Sequence, residues 1–186
     1  MRCFIAIELP TEVKHGMERV QEVLRRSRSV DASWTRPEGM HLTLKFLGEV
    51  PETRASEING ALSSGLATAE RLRLAGSGVG AFPDPKNARV VWIGVSGGTV
   101  RLISLQSAVE AALAAIGFER EKRAFSPHLT LGRIKHIRSR EAWLEALESV
   151  STSSLPSFAV EKVSMMKSEL RPTGAVYTEI SRVALN

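Results

Sequence analysis

Met40-His41-Leu42-Thr43-Leu44-Lys45-Phe46-Leu47-Gly48 and Pro127-His128-Leu129-Thr130-Leu131-Gly132-Arg133 each carry the tetrad His-Leu-Thr-Leu, the second 87 residues after the first. Side chains leave a strand alternately on its two faces, so a strict apolar–polar alternation marks a half-buried strand. Leu42 and Leu44 are expected to face a core, as are Leu129 and Leu131. His41 and Thr43 then share the opposite face, and so do His128 and Thr130. A titratable ring beside a hydroxyl, presented twice, is the pattern expected of a reaction centre built between two halves of one chain.

Working outward, the same 87-residue shift superposes the remaining elements. Phe4 to Leu9 reads as a buried strand and falls on Val91 to Val95. Thr11 is a candidate helix cap, followed by the apolar stripe Val13, Met17, Val20 and Leu24. That helix falls on an Ala- and Leu-rich one, Leu102 to Ile116. A loop holding Trp34 and Pro37-Glu38-Gly39 precedes the first tetrad. A second helix, from Pro51-Glu52 to about Ala69, matches Ser139 to Leu147. The glycine-bearing strand Arg71 to Phe82 matches Phe158 to Leu170. The turn at Asp84 to Asn87 matches Arg171-Pro172-Thr173-Gly174, with Pro85 and Pro172 coinciding. Val176 to Leu185 closes the chain as a strand.

One offset without a gap implies an internal duplication. The expected architecture is α+β: one bilobal domain over 1–186, with repeats of roughly 1–87 and 88–186 whose elements can be exchanged. Two antiparallel sheets, each backed by helices, would surround a central cleft. A pseudo-two-fold axis would set the two histidine strands side by side.

Composition narrows the class. The 186 residues are 43% hydrophobic and 24% charged, ordinary for a globular protein. No apolar run approaches the ~20 residues that span a bilayer. Met1 to Pro10 is too short for a signal peptide and is interrupted by Glu8. Cys3 is the only cysteine, so neither an intrachain disulfide nor a thiolate metal cluster is available. A cytoplasmic location is expected. Lys and Arg total 25 against 20 Asp and Glu, a net charge of +5 that favours a polyanionic partner. Basic clusters at Arg120-Glu121-Lys122-Arg123 and from Arg133 to Arg140 flank the second tetrad.

Imidazole titrates near neutrality, so two of them can act as general base and general acid on opposite sides of an in-line displacement. Thr43 and Thr130 can donate hydrogen bonds to non-bridging phosphate oxygens. A strained cyclic phosphodiester suits this kit, with water attacking phosphorus while the second ring protonates the departing ribose oxygen. The residues alone leave the two histidines interchangeable. Both limbs of the pH–rate profile would belong to imidazoles, between roughly pH 5 and 8. A zinc site is the other use of paired histidines, but no third ligand sits inside either tetrad, so no metal and no cofactor are expected.

Lys45 shares the parity of His41 and Thr43 and is a candidate phosphate ligand. Arg133 has the wrong parity for that face, and reaches it only if Gly132 marks a bulge or the strand ends there. Phe125 and Tyr177, with Trp34 and Trp92, are candidates to stack on bases. His15, on the first helix, and His136 are expected to be exposed. Gly76-Ser77-Gly78-Val79-Gly80 lacks the following helix of a dinucleotide loop and reads as a bulged strand.

These tetrads, with their flanks, resemble the 2H phosphoesterase superfamily, named for two H-x-[ST]-x motifs. Within it the chain is similar to the RNA 2′,3′-cyclic phosphodiesterases, also called 2′-5′ RNA ligase-like proteins. The resemblance rests further on Arg2 to Ile7, Lys45-Phe46-Leu47-Gly48, Phe125-Ser126-Pro127, Gly132-Arg133, and Ser168 to Tyr177. It implies a bilobal fold with a positively charged cleft and hydrolysis of an RNA-terminal 2′,3′-cyclic phosphate to a 2′-phosphate. It makes His41 the proton donor to the 3′ oxygen and His128 the proton acceptor from water. RNA ends and small cyclic nucleotides are the partners implied; a monomer is expected. The alternatives are ATP-independent 2′-5′ RNA ligation and a non-catalytic RNA-binding module.

Overall fold

Cys3, Phe4, Ile5, Ala6 and Ile7 are all buried, which is why the opening strand is an unbroken apolar run rather than an alternating one. It is β1 (Arg2–Glu8), an interior strand covered on both faces in the computed structural model, which describes residues 1–150, 155–171 and 174–186. The elements that follow are α1 (Thr11–Arg26), β2 (Val30–Trp34), β3 (His41–Glu49), α2 (Ala55–Gly65) and β4 (Leu72–Phe82). Then come β5 (Val90–Gly97), α3 (Thr99–Ala114), β6 (His128–Ile137), α4 (Arg140–Ser149), β7 (Phe158–Val160), β8 (Lys162–Arg171) and β9 (Gly174–Ala184).

The strands form two antiparallel sheets, ordered β3-β1-β8-β9 and β2-β6-β5-β4-β7. The triplets β3-β1-β8 and β6-β5-β4 correspond under the 87-residue shift, so the duplicated α+β fold is present with its third strands exchanged. β4 joins the sheet of the second tetrad and β8 the sheet of the first. The helices cross over as well. α2 packs on α3 beside β9 and β3, while α1 packs on α4 and reaches β6. Each sheet is thus backed by one helix from each half. The histidine strands lie near each other without sharing a ladder: β3 and β6 belong to different sheets and approach each other where the sheets meet.

Several local expectations are corrected. The segment 30–34 is an edge strand on β6, not a loop; its Val30, Ala32 and Trp34 alternate as a strand should. Thr11 begins α1 instead of capping it, and the Pro10 carbonyl accepts from the Val13 and Lys14 amides. α2 starts at Ala55, after a 3₁₀ turn over Glu52–Arg54, and ends at Gly65. A Cβ at Gly65 would lie 2.6 Å from that of Ala112, so the glycine permits the α2–α3 approach. The 158–170 strand is two: at Glu161 the chain leaves β4 and joins β1. Pro172 and Thr173, in the turn expected before β9, lie outside the described residues.

The stripe Val13, Met17, Val20 and Leu24 is buried as expected, and Ser139 caps α4 by accepting from the Ala142 amide. In β4, Gly78 adopts a positive φ at a register shift, the anticipated bulge. Gly80 has a different task, because a Cβ there would meet the Trp92 ring at 2.4 Å.

Candidate active site

Both histidine strands carry a bulge directly after the threonine. In β3 the partners of Ala6 and Ile5 are Thr43 and Lys45, leaving Leu44 as the extra residue. In β6 the partners of Trp92 and Val91 are Thr130 and Gly132, leaving Leu131 extra. These positions correspond exactly one repeat apart. An extra residue inverts the parity of everything beyond it. His41, Thr43 and Phe46 therefore share a face, and His128, Thr130 and Arg133 share the matching one. Arg133 reaches the histidine face by the bulge route that parity required, displaced by one residue from Gly132.

The same bulge overturns the expected orientation of Lys45. Its Nζ is turned toward α3, donating to Glu110 Oε2 at 2.8 Å and to the Glu119 carbonyl at 2.7 Å. Lys45 and Glu110 are each only 7% exposed, so this ion pair is buried in the cavity floor. Phe46 takes the place on the cleft face that Lys45 was expected to hold and stands 71% exposed there.

His41 is half-buried between aromatic rings. Phe4 lies 4.6 Å away in a tilted stack, and Tyr177 of β9 meets it edge-on at 5.3 Å. Burial, followed by the nearby charge of Lys14, pushes its pKa down from 6.5 to about 4 against a hydrogen bond to the Gly39 backbone. His41 is therefore neutral at pH 7 in the unliganded protein. His128 is held by the carbonyl of Ser126, 2.8 Å from its Nδ1. A carbonyl can only accept, so Nδ1 carries the proton and, in the neutral ring, Nε2 keeps its lone pair. Phe82 meets His128 edge-on at 5.0 Å, with Trp92 at 6.4 Å. Both histidines are thus anchored to the carbonyl two residues upstream and flanked by an aromatic pair.

A cavity of about 910 Å³ lies against both strands, lined by Thr43 and Phe46 from β3 and by His128 from β6. Phe125 stands in its wall, as do Arg89, Arg120, Lys122 and Arg123. Lys45 and Glu110 compensate each other, leaving four cations against Glu119 and Glu121, a surface suited to an anion. Arg89 and Phe46 were not foreseen: the first carries no motif, and the second needs the bulge to reach the site. Trp34 lies away on β2, stacked under Arg25 at 5.3 Å, while Trp92 packs beside His128. His15 and His136 are exposed, His136 within β6. Among the described residues no group of three or more His, Cys, Asp and Glu side chains has the placement to hold a metal ion. Among the described residues no helix is long and apolar enough to cross a membrane.

Comparison with known proteins places this site in context. The family model described as LigT like Phosphoesterase matches twice, over residues 7–92 and 93–177. The chain is 33% identical over 180 residues to an RNA 2′,3′-cyclic phosphodiesterase of Methanothermobacter thermautotrophicus, covering 97% of this chain and 96% of the relative. It is 39% identical over 146 residues to the protein of the same name from Aeropyrum pernix, covering 78% and 82%. The crystal structure of E. coli LigT complexed with 3′-AMP superposes with a TM-score of 0.74 at 25% identity, covering 100% of this chain and 98% of that one. Two tetrads on matching bulged strands, and a family model that fits each half in turn, make this chain a member of the LigT-like 2H phosphoesterases.

Proposed function

We propose that the protein hydrolyses RNA-terminal 2′,3′-cyclic phosphates to 2′-phosphates with its two histidines as acid and base and without a metal ion. The observation that carries this reading is the cavity lined jointly by Thr43 of one tetrad and His128 of the other. The names of the relatives support the substrate class.

His128 is the base. With Nδ1 fixed to Ser126, its Nε2 takes the proton of a water whose oxygen bonds to phosphorus. The P–O3′ bond breaks opposite the incoming oxygen, and His41 delivers a proton to O3′. Because His41 is neutral at pH 7 when the site is empty, it takes up that proton once the phosphate anion is beside it, as an opposite charge raises an imidazole pKa. Thr43 and Thr130 donate to the non-bridging oxygens, and Arg133 and the cations of the cavity wall hold the strand that carries them. Phe125 of the cavity wall and Tyr177 beside His41 contact the terminal nucleoside. Lys45 positions the floor of the site.

The proposal includes a cytoplasmic monomer that accepts RNA ends and small cyclic nucleotides. It also includes one domain made of two repeats divided near residue 87, supported by the constant offset. The test is turnover of a nucleoside 2′,3′-cyclic phosphate in EDTA. Loss of turnover in both His41→Ala and His128→Ala, each still folded, is the expected result. Activity that disappears with EDTA, or survives either substitution, defeats the proposal. Joining of the cyclic end to a 5′-hydroxyl RNA in place of water would assign ligation instead.

A further inference from the structure

The bulges at Leu44 and Leu131 expose backbone that has to be held, and the side chains that hold it come from the opposite half of the chain. Gln21, on α1 of the first half, is 3% exposed. Its Nε2 donates to the carbonyl of Leu131 at 2.8 Å and to that of Thr35 at 2.7 Å. The first contact is the bulge beside Thr130. The second is the segment that leads into His41. This buried amide reinforces the bond from the Thr35 amide to the same Leu131 carbonyl at 2.9 Å, and together they tie the second tetrad to the approach of the first.

The other half does the converse with a larger group. Gln106, on α3, donates to the Leu44 carbonyl at 3.4 Å and to Glu110 Oε1 at 3.4 Å. Glu110 Oε2 accepts from Lys45 and from the Glu121 amide, and Lys45 donates to the Glu119 carbonyl. The bulge beside Thr43 is so tied to the segment 119–126, which leads into His128 and ends on the Ser126 carbonyl that fixes its ring. β3 is an edge strand with no counterpart of β2 beside it, so here side chains replace a strand.

We infer that Gln21 and the Lys45–Gln106–Glu110 group are positioning residues that set the distance between the two tetrads, each joining the bulge after one threonine to the segment before the other half's histidine. This rests on the reading that both tetrads act on one phosphate. Neither strut touches the reacting atoms, but in-line transfer depends steeply on placement, and about 1 Å of misplacement costs roughly 10²-fold. β3 and β6 share no ladder. On one side Gln21 braces the backbone bond from the Thr35 amide to the Leu131 carbonyl at 2.9 Å, and on the other the Lys45–Gln106–Glu110 group makes the tie through side chains.

The experiment compares wild type with Gln21→Met and Gln106→Met by steady-state kinetics on a nucleoside 2′,3′-cyclic phosphate, by thermal unfolding, and by imidazole ¹H–¹⁵N spectra. The expected result is a kcat lower by about 10²-fold per folded molecule, a KM within threefold, and displaced ring signals of both histidines. A lower Tm with kcat per folded molecule unchanged would make the struts merely structural and overturn the inference. Should Gln21→Met fail to fold, Gln106→Met, which breaks only the longer contacts, decides the question. If wild type shows no turnover, the functional reading is what fails. The ring spectra then judge the struts, and unmoved signals in a folded variant refute them.

Discussion

Moving pH through the titration of His41 tests whether that buried ring is part of the reaction. If catalysis needs one histidine protonated and the other neutral, kcat/KM follows the product of the two fractions. That product is a bell whose limbs sit at the two free-enzyme pKa values, whichever ring is the donor. Burial of His41 between Phe4 and Tyr177, reinforced by Lys14, places one limb near pH 4, below the range of roughly pH 5 to 8 expected of unperturbed imidazoles. The drop from 6.5 to about 4 corresponds to about 3 kcal/mol against protonation. Lys14→Met removes one of the two causes and moves the acidic limb upward, while the other limb stays. The assay is kcat/KM on a nucleoside 2′,3′-cyclic phosphate across pH 3.5–9, with circular dichroism at each pH to keep unfolding apart from titration. The unfolded chain binds the proton at 6.5 and the folded chain near 4, so the contribution of His41 to stability is full above 6.5 and is lost as pH falls toward 4. An acidic limb at 6 or above that ignores Lys14→Met would refute this placement of His41.

Thr43→Val and Thr130→Val should each lower kcat about 10²-fold with Tm nearly unchanged, since each removes a proposed donor to phosphate and neither is fully buried; unaltered kinetics would remove threonine from the scheme. Lys45→Met leaves the Glu110 carboxylate buried without its partner and should cost about 3–5 kcal/mol in chemical denaturation. A KM effect without that loss would return Lys45 to direct phosphate binding. Arg133→Met should raise KM about tenfold or more through one lost charge-assisted contact, measured at fixed ionic strength. Unfolding should be a single cooperative transition, because each sheet contains strands from both halves; two resolved transitions would mean that the halves are separate units.

Alternation and self-similarity carried most of this molecule. The tetrads announce their strands because Leu42, Leu44, Leu129 and Leu131 must all reach a core, and they do. The helices follow from stripes such as Val13, Met17, Val20 and Leu24. What period-two reading could not supply was the bulge. Nothing in Leu44-Lys45-Phe46 says that the ladder against Ile5 and Ala6 slips there, yet that slip buries Lys45 and exposes Phe46. For Arg133 the parity conflict itself was the clue. The exchange of β4 and β8 was invisible for another reason: the repeat specifies which strands exist, whereas the short β4–β5 connection decides that β4 pairs forward with the second half. The pKa of His41 was also out of reach, because it depends on Phe4, Tyr177 and Lys14, which come from three other elements.

The most direct measurement is ³¹P NMR of the product formed from a nucleoside 2′,3′-cyclic phosphate in EDTA. With His128 activating water and His41 protonating O3′, the wild-type protein should yield the nucleoside 2′-phosphate alone. A 3′-phosphate would reverse which ribose oxygen leaves, and a cyclic ester that stays intact would contradict the account at its centre.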